Sequence, residues 1–253
     1  MDARKLKGRE GIVSMRIVFL FVPVLILLSS SLAQAVDVWN ITEDTDIHSG
    51  FYPFINIYDT HPEHTTVNMY GGGSDYIATY DESTLNFYDG SAQVGACDNS
   101  IINITGGTLN GVDAYNYGIV NFYSTAISTS LGAFDYGIAN LYGGTVGHIG
   151  AVGVGEINLY YGVITDSLSA YDSANLNLYV YDFNYDPSGG IYDGGKITGY
   201  WILDDSYFDI SLYGSDTFSH INVIPEPAAL SLFGIGFLIL FRKKNFKNDR
   251  KHS

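Results

Sequence analysis

Apolar and polar residues alternate in short bursts that recur along the middle of the chain. The clearest burst reads apolar-Asn-apolar-Tyr: Val67-Asn68-Met69-Tyr70, Leu85-Asn86-Phe87-Tyr88, Val120-Asn121-Phe122-Tyr123, Ala139-Asn140-Leu141-Tyr142, Ile157-Asn158-Leu159-Tyr160 and Leu176-Asn177-Leu178-Tyr179. Ile102-Asn103-Ile104-Thr105 keeps the form with Thr in place of Tyr, and Ile55-Asn56-Ile57-Tyr58 stands ahead of the series as an outlier. The asparagines fall at 68, 86, 103, 121, 140, 158 and 177, a spacing of 17 to 19 residues. Alternation at period two argues for strands, because successive strand side chains point to opposite faces.

A second burst keeps the same phase. Thr79-Tyr80-Asp81, Ala96-Cys97-Asp98, Ala114-Tyr115-Asn116, Ala133-Phe134-Asp135, Ala151-Val152-Gly153 and Ala170-Tyr171-Asp172 occupy equivalent places. Glycine pairs often follow the first burst, as at Gly71-Gly72, Gly106-Gly107 and Gly143-Gly144. Two registers drifting together mark an internal repeat, and strands repeating at so short a period mark a solenoid. The expected fold is all-β: a single-stack parallel β-solenoid, or β-helix, of ~18-residue coils over residues 67–180. Seven coils ~4.8 Å apart would stack to roughly 30 Å. Apolar columns should line the interior, with an Asn row and a Tyr row outside. Asp, Asn and Gly share a tolerance for left-handed backbone, which suits them to the corner. Cys97 falls in the Tyr/Phe column and reads as structural. Residues 36–66 break the period and are expected to cap the start. Residues 181–222 are expected to form a C-terminal β cap and a short linker.

The ends of the chain have another character. Arg4, Lys5, Lys7, Arg9 and Arg16 precede the apolar run Ile17 to Leu28, then Ser29-Ser30-Ser31-Leu32 and Ala33-Gln34-Ala35. A basic segment, an apolar segment and a small-x-small site make a signal peptide, 1–35, with cleavage by signal peptidase after Ala35. Met15 is an alternative start, and an uncleaved anchor is the alternative reading. The other end reads Val223-Ile224-Pro225-Glu226-Pro227, an uncharged run of 14 residues from Ala228 to Phe241, then Arg242, Lys243 and Lys244. As a helix the run measures roughly 21 Å, short for a ~30 Å hydrocarbon core, with the basic cluster as its cytoplasmic stop. A plain transmembrane-like anchor is one reading of residues 223–253. In the order of its parts this segment resembles the PEP-CTERM sorting signal of Gram-negative bacteria. The resemblance covers about a tenth of the chain and implies recognition of Pro225, Glu226 and Pro227 by an exosortase-type membrane protease. The tail Asn245 to Ser253 is longer than usual for that signal. The repeat array also resembles solenoid regions seen in many PEP-CTERM proteins. Together the two ends imply export, a transient stay in the inner membrane, and arrival at the cell surface or outside the cell.

Charge sharpens this picture. Residues 36–224 hold 23 Asp and Glu and a single basic side chain, Lys196, for a net charge near −22. Such a surface repels nucleic acids and polyanions and leaves cations and neutral glycans as partners. A single cysteine rules out an internal disulfide framework.

Candidate chemistry is sparse. Asp81, Asp98, Asp135 and Asp172 stand at the corner, where stacked carboxylates would take Ca²⁺ between coils, although Asn116 and Gly153 interrupt the row. No other cofactor is indicated. His61 and His64, with Asp59 and Glu63, form a loose metal-ligand set without the helical spacing of known metalloprotease motifs. Gly71-Gly72-Gly73-Ser74-Asp75 is a displaced fragment of a calcium-binding nonapeptide. Tyr70, Tyr88, Tyr123, Tyr142 and Tyr160 offer an aromatic face for exopolysaccharide, cell-surface glycans or another partner. The competing explanation is that these tyrosines stabilise the strands by stacking on one another. A uronate lyase needs basic side chains that the repeats lack. A glycoside hydrolase on a β-helix, needing two carboxylates, is the alternative to a non-catalytic structural or adhesive role.

Overall fold

Each burst lies in a strand, two bursts sharing one long strand in the later rungs, and like bursts lie side by side. The computed structural model describes residues 37–225 except 61 and 63. Within them the chain is all β apart from one 3-10 turn, Thr217–His220. It divides into Met1–Asp37 and Val38–Ser253, and the strands lie in the second unit. The expected signal helix with Ala33 and Ala35 lies outside the described residues, as do Glu226, Pro227 and the apolar segment ending at Arg242, Lys243 and Lys244. Among the described residues no helix is long and apolar enough to cross a membrane.

Thr66–Met69, Thr84–Phe87 and Ile101–Ile104 pair in parallel, with Asn68 opposite Asn86 and Asn86 opposite Asn103. Asn121, Asn140, Asn158 and Asn177 extend this column through the long strands that follow. These strands make the asparagine face. The second burst makes the opposite face, where Thr79, Ala96, Ala114, Ala133, Ala151 and Ala170 align. About eight turns stack this way.

Strand alternation then dictates the core. Val67, Met69, Leu85, Phe87, Ile102, Ile104, Val120 and Phe122 point inward from the asparagine face and are fully buried. Ile77, Val94, Val112, Leu131, Ile149 and Leu168 meet them from the other side in one contiguous cluster. Between the faces the chain turns at Asp81, Asp98, Asn116, Asp135 and Asp172, each with φ between 55° and 62°, and at Gly153, with φ 73°. That left-handed backbone accounts for the Asp/Asn/Gly choice at the corner. Two residues further on, a Cβ on Gly118, Gly137 or Gly155 would run into the carbonyl of Ala96, Ala114 or Ala133 on another rung.

Both ends of the array differ from expectation. The stretch expected to break the period holds further rungs. Val38–Ile41 pairs with Phe51–Ile57, which pairs with Gly73–Thr79, all parallel. The outlier Ile55-Asn56-Ile57-Tyr58 belongs to the face opposite its look-alikes: Ile57 aligns with Thr79, and the Tyr58 ring stacks on Tyr80 at 4.9 Å. Alternation reports that a segment is a strand, not which face it joins. On the asparagine face this rung is Thr45–Ile47, which aligns Asp46 with Asn68.

At the other end, Asn175–Asp186 runs on into an antiparallel meander with Lys196–Trp201 and Tyr207–Leu212, which rejoins the stack at Ser167 and Leu168. Trp201 is 1% exposed and lies 4.6 Å from the Phe208 ring, closing the core. The expected linker is absent. Ile221–Ile224 returns to the asparagine face as another parallel strand, with Asn222 opposite Asn177. The strand therefore crosses the boundary expected between residues 222 and 223, and Pro225 follows it directly. Its burst, Ile221-Asn222-Val223-Ile224, falls 45 residues after Asn177, so the repeat spacing does not reveal it.

Candidate functional site on the asparagine face

The asparagine column is one hydrogen-bonded ladder. Asn86 Nδ2 donates to Asn68 Oδ1 at 3.0 Å, and Asn103, Asn121, Asn140, Asn158 and Asn177 each donate to the preceding rung at 2.9–3.0 Å. The ladder begins at Asp46, whose Oδ1 accepts from Asn68 Nδ2 at 3.0 Å, and ends at Asn222, which donates to Asn177 Oδ1 at 3.0 Å. All these bonds point one way, so the first member need only accept, and a carboxylate serves there. Glu156 Oε1 accepts further bonds from Asn158 Nδ2 at 3.0 Å and Asn177 Nδ2 at 3.1 Å. A half-buried polar column is tolerated because its members satisfy one another.

Beside the ladder run the tyrosines, in two stacks rather than one row. His48 stacks on Tyr70 at 5.1 Å and Tyr70 on Tyr88 at 4.9 Å. Tyr123, Tyr142, Tyr160 and Tyr179 form the longer stack, with centroids 5.3, 4.5 and 4.2 Å apart. Thr105 separates the two stacks. Tyr179 closes the longer stack, in keeping with its burst Leu176-Asn177-Leu178-Tyr179, although the candidate face was Tyr70, Tyr88, Tyr123, Tyr142 and Tyr160; His48 joins the shorter stack. His48 was legible only through its place after Thr45-Asp46-Ile47. Neighbouring rings cover one another's faces, which is the strand-stabilising arrangement. Burial pushes the Tyr160 hydroxyl well above its ordinary value, helped by the hydroxyls of Tyr179 and Tyr142.

The opposite face begins with one like pair, Asn56 Nδ2 donating to Asn40 Oδ1 at 3.2 Å, and then carries more varied polar groups. Tyr115 donates to Asp113 Oδ2 at 3.2 Å, and burial raises the Asp113 carboxyl despite bonds from Tyr115 and Gln93. Burial, with Cys97 and Asp113 nearby, pushes the Tyr76 hydroxyl up to about 12. Cys97 is half-buried, and its thiol is itself raised by burial. His148 lies between two serines, Nδ1 at 2.9 Å from Ser167 Oγ and Nε2 at 3.0 Å from Ser169 Oγ. Burial lowers its value, partly offset by Asp166. Ser169 and His148 are at nucleophile–base distance, and the other ring nitrogen, Nδ1, meets the Ser167 hydroxyl rather than a carboxylate.

The loose metal-ligand set is partly assembled. His64 Nδ1 lies 3.2 Å from Asp59 Oδ2 and 3.4 Å from Glu82 Oε2, and the Asp59 side chain is 2% exposed. One imidazole and two carboxylates suit a borderline divalent ion such as Zn²⁺. A cleft of about 410 Å³ lined by Glu43, Asp44, Thr60 and His64 opens beside them. Glu82 belongs to the next rung, so proximity in sequence could not find it; His61 and Glu63 lie outside the described residues. Among the described residues the acidic and imidazole groups that converge are Asp59, His64 and Glu82, not the corner Asp81, Asp98, Asp135 and Asp172. Those corner carboxylates are exposed, and Asn116 Nδ2 donates to Asp98 Oδ1 at 3.4 Å.

No protein family, curated protein or solved structure matches this chain.

Proposed function

We propose that this is an exported protein of a Gram-negative cell surface or extracellular matrix, with a structural or adhesive role exercised through its asparagine face rather than an active site. The observation that carries this reading is the ladder from Asp46 to Asn222, which commits an entire polar column to holding a regular, ring-bearing surface. An acidic surface near −22 favours neutral glycans over polyanions as the contact. The export half of the proposal rests on the two terminal segments, with Pro225-Glu226-Pro227 as the sorting motif for an exosortase-type protease. Because Pro225 follows Ile224 directly, that motif would be presented from the last rung.

Incubation of the full chain with neutral polysaccharides tests the role. Retention without release of reducing ends is expected, and Tyr70→Ser with Tyr88→Ser should abolish it. Absence of retention, or release of reducing ends, contradicts the reading. Fractionation tests export: intact precursor confined to the cytosol would overturn it.

A further inference from the structure

The break between the two tyrosine stacks is a feature in its own right. Phe87, Ile104 and Phe122 align on successive rungs, so Tyr88, Thr105 and Tyr123 occupy consecutive places in one column. The ring partner of Tyr88 is Tyr70 and that of Tyr123 is Tyr142, each on the side away from Thr105. Tyr88 is 42% exposed and Tyr123 37%, so both flanking rings are accessible. Two rungs at ~4.8 Å place the facing rings ~10 Å apart. A guest ring midway would lie ~5 Å from each wall, too far for an aromatic plane in 3.5–4.0 Å contact. The thicker chair of a saturated sugar, with axial C–H bonds directed at each π face, fills that span.

The rim is polar. Asn103 flanks the vacated position and uses one Nδ2 hydrogen on Asn86 Oδ1 at 3.0 Å, which leaves its second amide hydrogen free of the ladder. The Thr105 hydroxyl adds a donor and acceptor at the base. Two aromatic walls with a few placed polar groups are the composition of a small-ligand site. Strong negative charge excludes phosphorylated or uronic rings.

We propose that Tyr88 and Tyr123 clamp one neutral sugar ring across the rung vacated at Thr105, making this the glycan subsite of the asparagine face. This rests on the glycan-contact reading above and narrows it to one place.

Thr105→Tyr is the decisive variant, because it completes the stack and fills the slot. Calorimetric titration of the full chain with cellohexaose and with maltohexaose, alongside thermal unfolding, gives the readout. Binding of at least one oligomer by the unsubstituted protein is expected. Thr105→Tyr should weaken it at least about tenfold while holding or raising the Tm. Tyr88→Ser and Tyr123→Ser should each weaken it by a similar factor, and Tyr160→Ser should leave it within about twofold. Binding that survives Thr105→Tyr in a folded variant overturns the slot alone and leaves the wider face as the contact. Failure of the unsubstituted protein to bind either oligomer overturns the slot together with the glycan reading.

Discussion

The two faces of the coil share one backbone period and use it differently. On the asparagine face two outward columns, the asparagines and the tyrosines, are each close to a single residue type, and apart from the break at Thr105 their members bond or stack to a neighbour one rung away. On the opposite face the outward columns are mixed, holding His148, Ser167, Asp113, Gly95 and Tyr76, with Asp113 accepting from Tyr115 and His148 lying against Ser167. Its register also slips at several rungs, as between Ala92 and Gln93. Identical neighbours make a column self-satisfying and indifferent to position along the stack; dissimilar ones make each rung a local solution. The asparagine face should therefore respond to substitution according to place in the ladder, and the opposite face according to what lies above and below.

The largest effect is expected where the ladder is broken mid-run. Asn121→Asp removes the donor to Asn103 and sets a half-buried charge against an acceptor, for about 3 kcal/mol of destabilisation in denaturant unfolding. A loss below about 1 kcal/mol would show that the ladder is decoration on a fold held by its core. Next comes the corner. Gly137→Ala drives a methyl group into the Ala114 carbonyl, and the backbone must shift, costing about 2 kcal/mol. An unchanged midpoint would mean that the rungs are not so closely apposed there.

The opposite face predicts a local, pH-dependent effect. Burial holds His148 below its ordinary value, so the unfolded chain binds more protons between that lowered value and ~6.5. Stability should rise with pH through that window, be complete above ~6.5, and fall as pH drops below it. His148→Gln should reduce this slope in a series of unfolding curves from about pH 5 to 8; an unaltered slope would remove His148 as its source. The smallest effect is expected at the start of the ladder. Asp46 only accepts, so Asp46→Asn should change stability by less than about 0.5 kcal/mol. The contrast between that exchange and its reverse at Asn121 measures ladder direction.

What could be read beforehand followed the same division. The asparagine face was legible because columns of like residues survive as a period, and the corner because left-handed backbone restricts it to Asp, Asn and Gly. The rungs at each end were hidden for different reasons. Thr45-Asp46-Ile47-His48 has conservative replacements at both marker positions, and Ile55-Asn56-Ile57-Tyr58 carries the markers on the wrong face. Ile221-Asn222-Val223-Ile224 shows the burst plainly, but the intervening meander shifts it off the period. Among site residues, the Tyr column could be named from spacing, whereas its division at Thr105 matters only once ring faces are known to be shared. Glu82 joins His64 and Asp59 across a rung, a contact that linear distance cannot suggest.

Amide hydrogen exchange across Ile221–Ile224 tests most directly whether the asparagine face is one ladder from Asp46 to Asn222 that ends against Pro225. The hydrogen-bonded amides of this strand should be protected to nearly the degree seen in Leu176–Tyr179, its partner segment. Exchange there at the rate of an unstructured peptide, with Leu176–Tyr179 still protected, would contradict the account and restore a free linker before the sorting motif.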